Sequence, residues 1–444
     1  MADALTPDQL DRFVKEFEAD PAARLLRNAV ATTPFDDIAL DRRVVTGTDH
    51  SVSHLLDDWE ATSQDKSGRC WLFAGTNLLR AGAAHKLGVK DFQFSQNHLL
   101  YWDKLEKANH WLESIIATAD RDVDDRTVAH LLSTPAEDGG QWNMFVALVA
   151  KHGLVPKVAM PETHSSSHTA SMNRDLSSIL RQAARDLRAA AARGASDGEL
   201  QEAKEQTLAS IHRLLGIHLG TPPESFVWQW KGEDKTFHRD GTMTPLEFAR
   251  EYVTIPLEEY VCLVNDPRET SPYGTVFTVE HLGNVVGAPP VTYLNVEVDL
   301  MKRIAIDSIT GGEPVWFGCD TGQMSHGKLG LWDAALYDRA GVYRTEPSLT
   351  KAQRLVHHES LMTHAMLFTG VDLHDDEPRR WRVENSWGTE RGDKGFMTMN
   401  DNWFGEYVFE IAARRSALPP ELQAALDTEP VVLPAWDPMG ALAR

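Results

Sequence analysis

The first 160 residues place their hydrophobic side chains mostly at helical spacing. Residues 6–31 open with Thr6-Pro7-Asp8, a common start signal, and continue with apolar residues three or four positions apart. The same spacing returns in three later stretches, each introduced by serine or glycine. It predicts one helix after Ser67-Gly68, a second from Ser95, and a third that follows Gly139-Gly140 and ends at Gly153.

The pattern changes along the rest of the chain. Residues 160–255 are mostly polar and helical in character, and residues 185–206 predict a solvated helix. After residue 258, short β-branched or aromatic runs lie between turn residues and predict strands at 260–264, 276–279, 315–319, 364–371, 381–385 and 396–399. Helices first and strands later favour an α+β fold over a doubly wound α/β fold. Residues 430–444 show no regular pattern, and we interpret them as an extended arm.

Composition makes several classes of protein poor candidates. The 444 residues include 65 acidic and 44 basic side chains, and the formal charge of −21 disfavours nucleic acid and anionic membranes as partners. No apolar stretch approaches the roughly 18 residues that span a bilayer, and the N-terminus lacks the pattern of a signal peptide. Three cysteines are too few for a disulfide framework. We therefore expect a cytoplasmic protein without membrane association.

One cysteine stands where a thiol can be activated. Cys70 lies in the first turn of a predicted helix, where the positive end of the helix dipole lowers the pKa of a thiol. Gly68 permits close approach of the backbone, and Gln64 offers an amide donor six residues upstream. These are the parts of a thiolate nucleophile and an oxyanion hole. A buried cysteine at a helix start is the alternative, and it is our interpretation of Cys262 and Cys319 within their apolar strands.

A thiolate nucleophile needs an imidazole and a group that orients it. His364 opens the predicted strand 364–371, and Asn385 ends the next strand. The two side chains could therefore lie side by side, with Asn385 accepting a hydrogen bond from one ring nitrogen and Trp387 covering that bond from water.

Two other histidines have a spacing that is found in metal sites. His164 and His168 are four residues apart, as in a pair of ligands on one helix face. Their serine-rich context argues against a helix, and no carboxylate accompanies them as in zinc peptidase motifs. We predict no metal site and no cofactor.

These residues together resemble the papain-type cysteine peptidases. The matching features are Gln64 six residues before Cys70-Trp71, a later histidine that opens a strand, and Asn-Ser-Trp-Gly at residues 385–388. Gly139-Gly140 also precedes an apolar helix, as does the glycine pair that lines the non-prime side of the papain cleft. The chain departs from small papains by the long separation of Cys70 from His364, by Arg69 before the nucleophile, and by the lack of structural disulfides.

In these departures the chain resembles the bleomycin hydrolase or aminopeptidase C branch of this family. Its motifs recur in order at Ser67-Gly68-Arg69-Cys70-Trp71, Pro161-Glu162-Thr163, Met172-Asn173, residues 314–320 and residues 433–443. The resemblance implies a papain-like fold of two subdomains with a helical insertion and an arm. The implied segments are 1–62 (N-terminal helix and extended segment), 63–159 (helical, with Cys70), 160–255 (helical insertion), 256–429 (β-rich, with His364 and Asn385) and 430–444 (arm in the active-site cleft).

The resemblance also implies a function. It implies a thiol aminopeptidase that acts on peptides, with bleomycin-hydrolase-like amide hydrolysis, assembled as a homohexamer. The implied catalytic residues are Cys70, His364, Asn385 and Gln64, and the implied substrate-binding residues are Gly139, Gly140, Trp387 and Ala443. Removal of Arg444 would leave the carboxylate of Ala443 to pair with the substrate ammonium. The alternatives are an endopeptidase with a displaced arm, a nucleic-acid-binding protein of the same fold and an inactive scaffold.

Overall fold

Residues 6–31 form two helices instead of the single one predicted. A computed structural model describes residues 3–56, 59–135, 137–345 and 349–443 of the chain. Pro21 has no N–H to continue a helix, so Asp20 ends the first helix and caps the second. The elements of this region are α1 (Pro7–Ala19), α2 (Pro21–Val30), α3 (Phe35–Ala39), α4 (Arg42–Gly47) and the short strand β1 (His54–Leu55).

The three helices predicted between residues 67 and 153 are all present. They are α5 (Cys70–Leu87), α6 (Gln96–Ala117) and α8 (Trp142–His152), with the short α7 (Arg126–Ser133) between the last two. Helix α5 buries residues on every side, and this explains its nearly continuous hydrophobic sequence. The hydroxyl of Ser95 accepts the N–H of His98 at 3.0 Å and starts α6.

Residues 160–255 are not helical throughout. They form α9 (His164–Ser167), α10 (Ala170–Ala192), α11 (Asp197–Leu219), a hairpin of β2 (Phe226–Lys231) with β3 (Phe237–Met243), and α12 (Pro245–Tyr252). Residues 185–206 cover two helices, because Gly194 has φ of +83° and Ser196 caps the second helix. The hairpin was missed, although aromatic and β-branched residues before a turn are typical of a strand.

The six predicted strand runs coincide with strands of one mixed sheet, except that Asn385, predicted to end a strand, follows directly after it. Its strands are β4 (Tyr260–Val264), β5 (Val276–Val279), β6 (Tyr293–Asn295), β7 (Val315–Cys319), β8 (Ser325–His326), β9 (Leu331–Trp332), β10 (His364–His374), β11 (Glu377–Glu384), β12 (Phe396–Asn400), β13 (Val408–Arg414) and β14 (Val431–Leu433). Their order is β14-β5-β6-β4-β13-β7-β10-β11-β12-β9-β8, and β1 pairs with the far end of β10.

Helices cover both faces of this sheet. Helix α5 packs on the face that carries Trp316 and Ala365, and α13 (Val298–Thr310) packs on the face that carries Phe317 and Phe368. The sequence argument missed α13, although Met301, Ile304, Ala305 and Ile309 follow helical spacing. The other C-terminal helices are α14 (Arg339–Tyr343), α15 (Lys351–Val356), α16 (Asp401–Tyr407) and α17 (Pro420–Ala425). Within the described ranges, none of the helices has both the length and the hydrophobicity to cross a membrane.

The C-terminal segment is more regular than predicted. Strand β14 pairs in parallel with β5, and residues Pro438–Ala443 form a 3₁₀ helix. Polar backbone groups against a protein surface need hydrogen-bond partners, and the neighbouring strand supplies them where the sequence pattern alone suggests irregular chain. Arg444, whose removal the sequence analysis considered, lies outside the described residues.

Candidate active site

The thiol of Cys70 lies at the junction of helix and sheet. Cys70 is the first residue of α5, and its Sγ accepts the backbone N–H of Ala365 at 3.4 Å. Ala365 is the second residue of β10, so this contact brings the start of that strand against the nucleophile. The side chain of Cys70 is buried.

His364 and Asn385 meet as their spacing predicted. His364 opens β10, Asn385 follows directly after β11, and Nε2 of His364 lies 2.9 Å from Oδ1 of Asn385. The same oxygen accepts the N–H of Ser386 at 2.7 Å, which fixes the amide orientation. The ring of Trp387 lies 4.9 Å from the imidazole, centroid to centroid. Because Nε2 is engaged, Nδ1 is the ring nitrogen left for the thiol.

Gln64 is held between residues 65–69, which we call the nucleophile loop, and the end of β11. Its Nε2 donates to the carbonyl oxygen of Ser67, and its Oε1 accepts the hydroxyl of Ser386 at 2.6 Å. An amide nitrogen carries two hydrogens, so one donor of Gln64 remains for a further acceptor. The amide is therefore fixed in direction before any ligand arrives.

Burial controls the protonation of the thiol and the imidazole. It raises the pKa of Cys70 to about 11, and the N–H groups of Ala365 and Trp71 offset only part of that rise. Burial also lowers the pKa of His364 to about 4 against the opposing effect of Asn385. Burial therefore opposes the lowering of the thiol pKa that we expected from the helix dipole, and it favours the neutral forms of both side chains.

Gly140 packs against Trp71, the residue after Cys70, where no side chain fits. A Cβ on Gly140 would come within 2.4 Å of the indole of Trp71. The indole N–H of Trp71 donates to the carbonyl of Asp138 at 2.8 Å, and the ammonium of Lys107 donates to the carbonyl of Gly139. These contacts hold the backbone of residues 138–140 against Trp71, the residue that follows Cys70.

Asp138 is a site residue that the sequence argument missed. One carboxylate oxygen accepts the N–H of Gly68 at 2.9 Å, and the other accepts the ammonium of Lys104 at 2.7 Å and the amide of Asn173 at 2.8 Å. Lys104 and these hydrogen bonds hold the pKa of Asp138 well below its usual range despite burial. An acidic residue directly before a glycine pair was the available signal. Asp138 joins the nucleophile loop to Gly139 and Gly140.

The C-terminal segment is anchored against this region. Arg268 forms two hydrogen bonds of 3.0 Å with the carboxylate of Asp437. The carbonyl of Met439 lies 3.3 Å from the hydroxyl of Tyr293 and 3.4 Å from the amide of Gln141, which follows Gly140 directly. Ala443 lines a cavity of about 90 Å³ together with Lys107 and other residues.

His164 and His168 do not form a helical pair of ligands. A one-turn helix does exist at His164–Ser167, contrary to expectation, because Thr163 and Ser166 form a capping box. The two imidazoles stack with centroids 4.6 Å apart. Across the described parts of the chain, no three His, Cys, Asp or Glu side chains are grouped closely enough to hold a metal ion.

Comparison with known proteins identifies the family. A model described as the Peptidase C1-like family matches residues 4–440. The chain belongs to the Peptidase C1-like family. This membership supports the papain-like fold of mixed helices and sheet.

Relatives within the Peptidase C1-like family extend along the whole chain. Bleomycin hydrolase from Rattus norvegicus is 40% identical over 449 residues, which cover 99% of each chain. Aminopeptidase C from Listeria innocua is 40% identical over 449 residues, which cover 100% of each. A crystal structure of PepW from Lactobacillus rhamnosis superposes with a TM-score of 0.97 at 42% identity and covers 99% of both chains. The resemblance inferred from the motifs is confirmed, and this full-length similarity supports a thiol aminopeptidase.

Proposed function

We propose that this protein is a cytosolic thiol aminopeptidase that releases N-terminal residues from peptides by a Cys-His-Asn mechanism. The observation that carries the proposal is the convergence of Cys70, His364 and Asn385 from three separate elements into one buried place. The full-length relatives named aminopeptidase C and bleomycin hydrolase support both the activity and amide hydrolysis of the bleomycin type.

The first step is an internal proton transfer. Nδ1 of His364 takes the proton of the Cys70 thiol, so the neutral pair becomes an ion pair while the net charge of the site stays constant. The N–H of Ala365 stabilises the thiolate, and Asn385 holds the imidazolium through Nε2.

Bond formation and cleavage follow at the carbonyl group. Sγ of Cys70 attacks the carbonyl carbon, and the negative oxygen is stabilised by the N–H of Cys70 and the free donor of Gln64. Collapse breaks the C–N bond, and His364 gives its proton to the departing amine. Water then adds to the thioester with His364 as base, releasing the acid and restoring the thiol.

The arm supports restriction of the activity to free N-termini. Residues 430–444 would occupy the non-prime side of the cleft, beyond the edge formed by Gly139 and Gly140, with Trp387 on the other side of the imidazole. Removal of Arg444 would place a carboxylate on Ala443, where it could pair with the substrate ammonium. The contact of Met439 with Gln141 supports this placement.

The remaining organisation is proposed on the same basis. Residues 63–159 and 256–429 would be the two catalytic subdomains, with 160–255 as an insertion and 1–62 as an N-terminal extension. A homohexamer is supported by the exposed hydrophobic side chains of α1, including Leu10, Phe13 and Val14. The sparse cysteines, all free thiols, support a reducing compartment.

The proposal is tested with a fluorogenic aminoacyl amide and its N-acetylated counterpart under reducing conditions. We expect cleavage of the free-amine substrate alone, and no cleavage by Cys70→Ala. Equal cleavage of both substrates would favour an endopeptidase with the same chemistry. If neither is cleaved, the peptidase proposal is refuted, and a salt-dependent DNA-binding assay would then test the alternative of a nucleic-acid-binding protein.

A further inference from the structure

Two motifs in the inserted segment, Pro161-Glu162-Thr163 and Met172-Asn173, have no part in the chemistry described so far. The first contacts the nucleophile loop directly, and the second contacts it through Asp138. Glu162 belongs to the first motif, and its carboxylate pairs with the guanidinium of Arg69 at 2.9 Å. Asn173 belongs to the second and holds Asp138, which in turn accepts the N–H of Gly68. Both motifs thus hold the residues directly before the nucleophile.

The contact of Glu162 continues through the loop to the amide of Gln64. Nε of Arg69 donates to the hydroxyl of Ser67 at 2.9 Å, and that hydroxyl donates to the carbonyl of Gln64 at 2.6 Å. The carbonyl of Ser67 accepts Nε2 of Gln64 in return. Ser67 and Ser386 together therefore set the direction in which the Gln64 amide points, and a shift of Ser67 changes it.

Arg69 needs a carboxylate partner to stay in this place. Its side chain is 0% exposed, and within the described part of the chain its Nη2 has no hydrogen-bond partner. A buried guanidinium without a counter-charge is costly, so Glu162 fixes where the cation lies. The hydroxyl of Ser166 donates to Oε2 of Glu162, the oxygen that lies 2.9 Å from Nη1 of Arg69, and holds Glu162 in turn.

We propose that Glu162 is a positioning residue that acts through Arg69 and Ser67 on the amide of Gln64. This inference rests on the proposed function, because it assigns to Gln64 the role of oxyanion donor. It gives the inserted segment a direct part in the rate of the reaction. Loss of the carboxylate lets Arg69 and Ser67 shift, and the donor of Gln64 then misses the developing oxyanion.

The variant Glu162→Gln tests the inference because it removes the charge and keeps the shape. We expect kcat to fall at least about tenfold, since displacement of a catalytic group by about 1 Å can cost about 10²-fold. KM should change by less than about twofold, because the donor acts on the transition state. Glu313→Gln is the matched control: Glu313 pairs with Arg414 at 2.7 Å and is 23% exposed, against 22% for Glu162.

A second measurement separates the oxyanion donor from the nucleophile. Iodoacetamide alkylates Cys70 by forming an S–C bond at a saturated carbon and releasing iodide, so it creates no oxyanion. We expect Glu162→Gln to keep an alkylation rate within about twofold of the parent protein. A fall in alkylation equal to the fall in kcat would show a disordered nucleophile loop and overturn the inference.

A double-mutant cycle with Gln64→Ala provides the decisive comparison. We expect Gln64→Ala to lower kcat by about 10²–10³, and Glu162→Gln to cause no further loss in that background. Full multiplication of the two effects, or a Glu162→Gln variant as active as Glu313→Gln, would refute the inference. Activity that survives Cys70→Ala would instead refute the proposed function, so the two failures are distinguishable.

Discussion

Glu410 is a buried carboxyl group whose replacement should stabilise the protein. It lies on β13, its side chain is 0% exposed, and within the described residues neither carboxyl oxygen has a hydrogen-bond partner. Burial raises its pKa from 4.5 to about 8, although the neighbouring thiol of Cys262 opposes the rise. The folded protein therefore keeps this proton at pH values where the unfolded chain has released it.

The size of the effect follows from proton linkage. A group with a raised folded-state pKa contributes stability below its unfolded pKa, here 4.5, and that contribution is lost as pH rises toward about 8. Within this window, each pH unit lowers the contribution of Glu410 to the free energy of unfolding by about 1.4 kcal/mol. Glu410→Gln has no carboxyl group to titrate at this position. The difference in free energy of unfolding, variant minus parent protein, should therefore be about 3 kcal/mol larger at pH 7 than at pH 4.5.

The assay is urea unfolding, followed by tryptophan fluorescence at one protein concentration between pH 4.5 and pH 8.5. Any packing cost of the amide appears equally at every pH, so the test is the slope of the difference between variant and parent protein. Glu421→Gln is the control, because Glu421 is exposed on α17 and its variant should track the parent protein. A constant difference between Glu410→Gln and the parent protein would refute the reasoning.

Two further predictions concern the site and its support. Gly140→Ala places a Cβ 2.4 Å from the indole of Trp71 and should lower kcat/KM by about 10²-fold in the aminoacyl amide assay; Gly198→Ala, which meets no atom within 4 Å, should not, and equal activity of the two would contradict the crowding argument. Arg80→Met removes the guanidinium that pairs with the buried carboxylate of Glu384 at 2.6 Å and leaves it only the amide of Asn77 among these two partners, so it should lower the free energy of unfolding by about 3–5 kcal/mol. Urea unfolding at pH 7 measures this, and a loss below about 1 kcal/mol would contradict it.

The sequence was sufficient to predict the positions that depend on local pattern. Cys70 at a helix start, His364 at a strand start and Asn385 after the next strand all follow from hydrophobic period and turn residues. Their meeting could be anticipated because consecutive strands of a sheet often pair, as β10 and β11 do.

Properties that arise from packing could not be predicted in this way. The helix dipole at Cys70 is a local feature, but the burial that reverses its effect on the pKa comes from residues far along the chain. Glu410 lies in a strand whose sequence does not reveal that its acidic side chain points inward. The sequence around Asp138 and Glu162 does not reveal their contacts, because their partners Gly68 and Arg69 come from another part of the chain.

The division of the site between distant parts of the chain has a consequence for folding. The contact between Cys70 and Ala365 closes 295 residues of chain, and that between Gln64 and Ser386 closes 322. The entropic cost of such closures grows only slowly with length, but contacts of high sequence separation make folding slow. A chain in which only the helical half has folded carries a thiol without a base. On the proposed mechanism, a partly folded molecule therefore lacks hydrolytic power until the native topology is complete.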